Sequence, residues 1–256
     1  MDDTYAIAAV ICAAGSSTRM GGEKKEYRHV GKPADSLTVL GSAVSAFALV
    51  PSVKTIVIAV PANGEEEARK ALPPGILSAE SPKVHFVAGG SSRRASVFNA
   101  LSFFAASANK PRYVLIHDGA RPWVSPSLIA GIIEAVKIYG AVIPLLPLTD
   151  TPKECDAPLQ ITSACVCEHK GGAVNRQAAA LPVFIERHLK RVNTGIAQTP
   201  QAFAFPGIFA AHEKAAEVEG EEFTDDAEIW GRFCGAVAVI PGEPENRKIT
   251  FKEDLI

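Results

Sequence analysis

The fold of this chain is indicated by one stretch, Val10-Ile-Cys-Ala-Ala-Gly-Ser-Ser-Thr-Arg-Met20, which is followed, after three further residues, by Lys24-Lys25-Glu26-Tyr27. The apolar run Ile7–Cys12 predicts a buried strand. The small residues after it let backbone N–H groups approach a phosphate closely, and Arg19 and the lysine pair supply the cations that a phosphate needs. The alternative interpretation is a tight strand-to-helix connection whose basic residues are solvated.

The composition is that of an ordinary globular protein. Hydrophobic residues make up 47% of the 256 residues and charged residues 21%, and the net charge of −2 gives no reason to expect a nucleic-acid or anionic membrane partner. We expect no signal peptide, because Met1-Asp-Asp-Thr-Tyr5 carries no positive charge, and no membrane span, because no apolar run approaches about 18 residues. Five cysteines without framework spacing favour a reducing cytoplasm.

Strand-like and helix-like segments alternate along the chain. Continuous β-branched runs predict further buried strands at Thr55–Val60, Val84–Val87, Tyr113–His117, Ala141–Leu146 and Ala236–Ile240. Helical patterns lie between them at Val39–Val50, Ala95–Ala106 and Ser127–Tyr139. This alternation predicts a doubly wound α/β fold with a mostly parallel sheet, in which ligands bind outside the carboxyl ends of the strands.

Polar loops follow three successive predicted strands at that edge. They are Gly89-Gly-Ser-Ser-Arg-Arg-Ala-Ser96, His117-Asp-Gly-Ala-Arg-Pro122 and Leu148-Thr-Asp-Thr-Pro-Lys153. The first of them has a simpler interpretation as a turn with a helix N-cap and two solvated arginines. Three such loops at one edge of a sheet are harder to attribute to chance than one.

The segment Glu154–Arg191 interrupts the alternation. Its Cys165-x-Cys167-x-His169 pattern admits a metal site, but the spacing is not that of the usual zinc motifs, and we favour a β-hairpin. A long excursion from a compact domain is usually functional or an interaction element. We therefore predict a single domain over residues 1–256 with an arm inserted at about 152–192.

The opening stretch resembles the A-A-G-x-G-x-R-M-x(n)-P-K signature of Rossmann-like nucleotidyltransferases. Three later segments narrow the resemblance to the 2-C-methyl-D-erythritol 4-phosphate cytidylyltransferases. Arg191–Phe203 is similar to R-x-G-L-W-x-A-Q-T-P-Q-A-F, Phe223–Ala227 contains T-D-[DE]-A, and Asn246–Leu255 follows N-x-K-[IV]-T-x-x-E-D-L. Thr224 or Asp225 can also be explained as the N-cap of a helix that starts near Ala227.

The chain departs from the signature at two positions. Ser17 stands where the second glycine is usual, and Lys24 stands where proline is usual. Lys25 precedes Glu26-Tyr27 as the family lysine precedes its glutamine–aromatic pair. We therefore predict that Lys25 is the catalytic lysine, with Lys24 as the alternative.

The charged residues suit nucleotidyl transfer. The sequence contains no G-x-S-x-G, no H-E-x-x-H and no Gly-Lys-Ser/Thr phosphate loop. A phosphate monoester is already ionised at neutral pH, so its attack on another phosphate needs positioning and neutralisation of charge rather than a general base. Cations suited to that task occur at successive loop ends, at Arg19, Lys25, Arg93, Arg121, Arg191 and Lys248.

The resemblance implies a reaction and a set of roles. The chain would convert CTP and 2-C-methyl-D-erythritol 4-phosphate to CDP-methylerythritol and pyrophosphate in non-mevalonate isoprenoid precursor synthesis, as a homodimer joined through the arm. Mg²⁺ would be held mainly by the nucleotide phosphates, without protein ligands of its own. Arg19 and Lys25 would be catalytic. Nucleotide binding would fall to Ala13, Ala14, Gly15, Gly89, Gly90, Arg93, Ser96 and Gly119. The sugar phosphate would be bound by Asp118, Arg121, Thr151, Arg191, Thr224 and Lys248.

Other functions remain open from the sequence. Ribitol 5-phosphate cytidylyltransferases share the motifs and differ at the sugar pocket. A nucleotide-sugar glycosyltransferase or a nicotinamide oxidoreductase uses a related sheet, but no G-x-G-x-x-G follows the first strand, which disfavours the oxidoreductase. A catalytically impaired homologue that binds CTP, with the arm as an interaction surface, is the non-enzymatic alternative.

Overall fold

A computed structural model describes residues 6–17, 24–31, 37–80, 82–157, 183–218, 220 and 222–255. The chain divides into two compact units, one formed by residues 1–146 and 197–256 and the other by residues 147–196. Within the described ranges, no helix has both the length and the apolar character needed to cross a membrane.

The first unit is built on a sheet whose strands run in the order β10-β5-β9-β4-β1-β2-β3. β1, β2, β3, β4, β5, β9 and β10 span Ile7–Cys12, Val53–Val60, Lys83–Ala88, Tyr113–Asp118, Ala141–Pro147, Gln201–Ala204 and Ala238–Pro241. β4-β1-β2-β3 and β10-β5 are parallel, whereas β9 lies antiparallel to both β4 and β5. All six strands predicted from apolar runs are confirmed. β9 was not predicted, because its four residues lie inside a motif that we read for function.

Helices cover both faces of this sheet, as the doubly wound prediction requires. α1, α2, α3, α4, α5 and α6 span Val39–Ala48, Glu65–Lys70, Arg93–Ala106, Pro126–Tyr139, Phe205–Glu217 and Asp226–Phe233. Alternate residues of β1 enter two separate cores: Ile7, Ala9 and Ile11 pack with α1 and α4, and Ala8 and Val10 pack with α3 and α5. A strand buried on both faces must be apolar at every position, which explains its continuous hydrophobic run.

Side-chain caps start the helices next to the polar loops. Ser92 accepts a hydrogen bond from the Ala95 N–H at the start of α3, and Asp225 accepts one from the Glu228 N–H at the start of α6. Both caps are therefore confirmed, but the expectation of a solvated Arg93 is wrong, because Arg93 pairs with the carboxylates of Asp118 and Asp226. The caps do not exclude a second role for the loops, because a cap uses one side chain and leaves its neighbours available.

The second unit contains one antiparallel pair of strands within the residues described. β6 (Lys153–Cys155) pairs with β7 (Ile185–His188), and a short strand β8 (Gly195–Ala197) ends the unit and begins the return to the first. Both strands of the pair fall inside the predicted arm at about 152–192. Cys165, Cys167 and His169 lie outside the described residues, so the hairpin and metal interpretations stay predictions.

Candidate active site

A cavity of about 490 Å³ opens at the carboxyl ends of β1 and β4, wholly within the first unit. This is the edge at which ligands bind in open parallel sheets. Its walls come from the loop after β1, the loop between β3 and α3, and the segment after β10. The residues that line it are Cys12, Ala14, Gly15, Ser16, Ser17, Lys25, Glu26, Gly90, Ser91, Ser92, Arg93, Ser96, Asp118, Ala120, Lys248 and Thr250.

The first residues of the loop after β1 line this cavity. Ala13 continues the strand, because its N–H donates to the Ala59 carbonyl at 2.8 Å. Among the described residues, the N–H groups of Ala14, Gly15 and Ser16 form no hydrogen bond, and Gly15 and Ser16 are exposed. Consecutive unpaired backbone N–H groups form a concave site that suits an anion.

The adjacent Lys24 and Lys25 have different hydrogen-bond partners. Lys25 lines the cavity, and its Nζ donates to the Ile249 carbonyl at 2.9 Å. Lys24 turns under the loop instead, and its Nζ donates to the Ala13 carbonyl at 2.8 Å and to the Gly15 carbonyl. Burial lowers the pKa of Lys24, and the neighbouring Glu26 carboxylate opposes that shift. Of the two lysines, Lys25 is the one that lines the cavity, and its catalytic role stays a prediction.

The β3–α3 loop packs directly on the first loop. A Cβ atom added at Gly89 would lie 2.2 Å from the Ala14 Cβ, so a larger residue would force the two loops apart. Ser96 is buried; its hydroxyl donates to the Ser92 carbonyl at 2.9 Å and accepts from the Gly90 N–H at 3.1 Å. The Gly89 N–H is also engaged, with the Val60 carbonyl at 2.7 Å. Gly90 and Ser96 therefore line the cavity, and Gly89 packs beside them against the first loop.

Asp118, at the end of β4, is surrounded by cations. Its carboxylate lies 3.2 Å from Arg93 Nε, 2.9 Å from Lys248 Nζ and 3.8 Å from Arg121 Nε. Burial alone would raise the pKa of Asp118, but Arg93, Lys248 and Arg121 hold it well below its usual value. The group is therefore an ionised acceptor of hydrogen bonds. Gly119 follows it, and its N–H donates to the Cys12 carbonyl at 2.9 Å.

Arg93 bridges Asp118 to a second, fully buried carboxylate. Its Nη1 lies 2.7 Å from Asp226 Oδ2, and Asp226 Oδ1 lies 3.0 Å from Nε2 of the buried His212. Burial would raise the pKa of Asp226, but Arg93 and His212 lower it. Burial would likewise lower the pKa of Arg93, and the two carboxylates raise it well above its usual value. Arg93 is thus a fixed cation in the cavity wall.

Sequence reasoning missed Asp226 as a site residue. The signal was present, because Asp226 is the acidic third position of the T-D-[DE]-A element, but we read that element only as a cap and a substrate contact. Asp225 is the cap, and its neighbour turns inward. Thr224, which we had assigned to the substrate, donates its hydroxyl to Glu228 at 2.8 Å and does not line the cavity.

The Ala197–Phe203 motif supports the site from behind. The Gln198 amide donates to the Glu243 carbonyl at 2.8 Å and accepts from the Glu243 N–H at 3.1 Å, which fastens the segment that carries Lys248. Gln201 donates to Asp225 at 2.7 Å and accepts from the Ala227 N–H, which fastens the start of α6. Two glutamines of one motif thereby place two parts of the site.

The remaining predicted residues lie elsewhere. Arg121 contacts Asp118 from outside the lining, and its Nη1 donates to the Asn246 carbonyl at 2.7 Å. Thr151 and Arg191 belong to the second unit, where Arg191 Nη1 donates to the Thr149 carbonyl at 2.6 Å. Arg19 lies outside the described residues. The cavity therefore gathers eight of the predicted residues: Ala14, Gly15, Lys25, Gly90, Arg93, Ser96, Asp118 and Lys248.

The titratable groups of the cavity favour charge neutralisation over acid–base work. Burial raises the pKa of the Cys12 thiol to about 12, so the thiol is protonated at neutral pH. His117, which precedes Asp118 in β4, is fully buried, and burial lowers its pKa to about 4. Its two ring nitrogens contact the Thr199 hydroxyl and the Arg121 carbonyl. The lining thus combines backbone amides and serine hydroxyls with the cations Lys25, Arg93 and Lys248 and the carboxyl side chains of Glu26 and Asp118.

The chain matches one family along its whole described fold. The family model of 2-C-methyl-D-erythritol 4-phosphate cytidylyltransferase (IspD) matches residues 7–178 and 176–256. A bifunctional enzyme IspD/IspF of Nitrobacter hamburgensis is 37% identical over 256 residues, with 97% of this chain and 53% of the relative covered. Its counterpart in a Bradyrhizobium species is 36% identical over 258 residues, with 100% and 56% covered. The chain spans about half the length of these curated relatives.

Solved structures agree with that match. The crystal structure of 4-diphosphocytidyl-2C-methyl-D-erythritol synthase from Anaerococcus prevotii superposes with a TM-score of 0.74 at 27% identity, with 99% of this chain and 94% of that chain covered. The 2-C-methyl-D-erythritol 4-phosphate cytidylyltransferase of Thermus thermophilus gives a TM-score of 0.65 at 29% identity, with 96% and 94% covered.

Proposed function

The chain belongs to the 2-C-methyl-D-erythritol 4-phosphate cytidylyltransferase (IspD) family, and from this membership we propose that it converts CTP and methylerythritol phosphate to CDP-methylerythritol and pyrophosphate in the non-mevalonate route to isoprenoid precursors. One observation carries the proposal: Ala14, Gly15 and Ser16, whose amides form no hydrogen bond within the described residues, line the same cavity as Lys25, Arg93 and Lys248. Several anionic groups meeting at one point need such a cavity.

The triphosphate of CTP would lie on the loop after β1. The amides of Ala14, Gly15 and Ser16 would bind its oxygens, and Lys25 would stabilise charge at the α-phosphorus and on the departing pyrophosphate. Arg19 would assist there, as the family signature suggests. The nucleophile is a phosphate oxygen that is ionised at neutral pH, so the chain's part is to align it with the α-phosphorus and to reduce the repulsion between two anions.

The pyrimidine and ribose would occupy the wall formed by the β3–α3 loop. A side chain at Gly89 or Gly90 would collide with Ala14 or Ala95, so the two glycines let this loop pack tightly behind the wall on which the base would rest. Ser96 holds the Gly90 amide, and Arg93 supplies a cation held between two carboxylates. This arrangement gives the base a rigid surface.

The sugar phosphate would enter on the side of Asp118. Its ionised carboxylate would accept hydrogen bonds from sugar hydroxyls, and Lys248 and Arg121, which already contact it, would hold the phosphate. Thr151, Arg191 and Thr224 are proposed for the same substrate on the family resemblance.

Mg²⁺ fits this site as a companion of the nucleotide. Among the described residues, no group of three acidic, histidine or cysteine side chains could hold a metal ion, so triphosphate oxygens would supply most ligands. When bound, the ion would neutralise phosphate charge.

We also propose a homodimer joined through the arm, in the cytoplasm. The support for the dimer is the family resemblance and the length of the excursion at about 152–192. CTP is a cytoplasmic nucleotide, and Cys12, Cys155 and Cys234 are free thiols. Deleting Cys155–His188 and closing the gap with a short turn should give a monomer by light scattering, and an unchanged dimer would exclude the arm as the interface.

The activity is tested by incubating the purified chain with CTP, Mg²⁺ and either methylerythritol phosphate or ribitol 5-phosphate while pyrophosphate is measured. We expect release with methylerythritol phosphate and a cytidine diphosphate product by mass spectrometry. Faster turnover of ribitol phosphate would keep the chemistry and change the substrate. No release with either acceptor, together with measurable CTP binding, would identify the impaired homologue.

A further inference from the structure

The proposed reaction assigns no role to Lys24. Its Nζ donates to the carbonyl of Ala13 at 2.8 Å and to the carbonyl of Gly15, and its side chain is only 20% exposed. The Glu26 carboxylate lies 3.9 Å from the same ammonium group. One half-buried charge thus contacts two carbonyls of the loop that lines the cavity.

These two contacts fix the direction of two amide groups. A trans peptide unit is planar, and its carbonyl oxygen and N–H point in opposite directions. When Lys24 holds the Ala13 carbonyl, the N–H of Ala14 must point away from Lys24. The same relation between the Gly15 carbonyl and the Ser16 N–H fixes a second donor. Within the described part of the chain, neither amide has a hydrogen-bond acceptor, and both belong to residues that line the cavity.

Ser17, the other residue that departs from the family signature, contacts the same carboxylate as Lys24. Ser17 has a φ of 51°, in the left-handed region that glycine adopts more readily. Its hydroxyl donates to Glu26 Oε2 at 3.3 Å and accepts from the Lys25 N–H at 3.4 Å. Glu26 therefore contacts both Ser17 and Lys24, and the two unusual residues share one buried carboxylate.

We propose that Lys24 is a positioning residue: its ammonium holds the carbonyls of Ala13 and Gly15 so that the amides of Ala14 and Ser16 face the nucleotide triphosphate. This inference rests on the proposed binding of CTP. The resemblance places a proline here, which would rigidify the backbone. Here a side chain holds the loop directly, by hydrogen bonds that proline cannot make.

The test compares Lys24→Met, Lys24→Arg and Lys24→Pro with the wild type. Met keeps the apolar stem and removes the hydrogen-bond donors. We expect the KM for CTP to rise about tenfold in this variant, which corresponds to about 1.4 kcal/mol of lost binding. The kcat and the KM for methylerythritol phosphate should change less than about threefold. Arg keeps donors and charge and should recover part of the loss. Lys24 has a φ of −64°, which proline can adopt, so the Pro variant should fold and should keep the defect.

A matched control is Lys70→Met, since Lys70 is an exposed lysine of α2 paired with Glu66 and lies outside the cavity lining. It should match the wild type. A Pro variant with a normal KM for CTP would overturn the proposal, because backbone restriction alone would then suffice. A Met variant that loses affinity equally for both substrates would also overturn it, because Lys24 would then support the fold generally.

A second measurement does not depend on turnover. Calorimetric titration with CTP and Mg²⁺ in the absence of an acceptor should give a Kd about tenfold higher for Lys24→Met than for the wild type, and an unchanged Kd for Lys70→Met. An unchanged Kd in Lys24→Met would overturn the positioning role. If the wild-type chain bound CTP but released no pyrophosphate, the proposed reaction would fail, while weaker CTP binding by Lys24→Met would still support the positioning role.

Discussion

Arg93 Nη1 lies 2.7 Å from Oδ2 of Asp226, a carboxylate with no exposed surface at the first residue of α6. The pair joins the helix that follows β3 to a helix far later in the chain, at the wall of the cavity. Because Asp118 binds the other edge of the same guanidinium, Arg93 has little freedom to reorient toward a ligand.

Asp226→Asn should destabilise the chain by about 2 kcal/mol, because it removes the buried charge that pairs with Arg93 and leaves Asp118 as the guanidinium's remaining carboxylate. The matched control is Asp150→Asn, the same change at an exposed aspartate, where the cost should stay below about 0.5 kcal/mol. Urea unfolding of both variants measures the difference. Equal costs at the two positions would mean that the Arg93–Asp226 pair contributes nothing to stability.

Lys25→Ala should lower kcat by roughly 10²- to 10³-fold, or about 3–4 kcal/mol, since Lys25 is the lysine that faces the cavity and its charge is most useful as leaving-group charge develops. Lys24→Ala should act mainly on the KM for CTP. Steady-state kinetics with both substrates distinguishes the two. If Lys24→Ala proved to be the inactive variant and Lys25→Ala remained active, the assignment across the first loop would be wrong.

Arg191→Ala should raise the KM for methylerythritol phosphate and leave that for CTP nearly unchanged, since Arg191 is proposed to hold the acceptor phosphate. Arg191→Lys should recover only part of the loss, because an ammonium group cannot reproduce a bidentate fork. The matched control is Arg187→Ala on β7, where Arg187 pairs with Glu154 at 3.1 Å. Both KM values are measured at one ionic strength, because salt screens exposed charge pairs. An equal rise in the KM for both substrates would mean that Arg191 supports the fold and does not hold the acceptor.

The buried His117 should make stability fall in mild acid. Its pKa is about 4 in the folded chain and about 6.5 when unfolded, so the unfolded state gains a proton first as the pH falls from about 6.5 toward 4. By linkage, the free energy of unfolding should drop by about 2 kcal/mol between about pH 7.5 and pH 5 from this group alone. Asp118 does not titrate in that window, because its pKa is lowered well below its usual value.

Urea unfolding at the two pH values measures this loss. His117→Gln should unfold more easily at both and lose the pH-dependent part, whereas His85→Gln, which changes a half-buried histidine of β3, should keep it. A His117→Gln variant with the wild-type pH dependence would assign the loss to another group.

The arrangement of elements followed closely from local patterns. The bounds of the strand Ile7–Cys12 were predicted to the residue, because a strand covered on both faces must be apolar throughout and its apolar run ends where the burial ends. β9 escaped prediction because its four residues carry no period of their own, and its place between β4 and β5 depends on pairing with partners far along the chain.

The sequence by itself determined that small residues and cations would meet at one edge of a parallel sheet, because the polar loops directly follow strand ends. Only the tertiary structure decided what adjacent residues do. Lys25 is directed to the cavity by a carbonyl at Ile249, Lys24 is held by the loop that precedes it, and Asp226 turns inward beside the capping Asp225. Neighbouring side chains of one type look alike in a motif, and they differ only in which distant groups surround them.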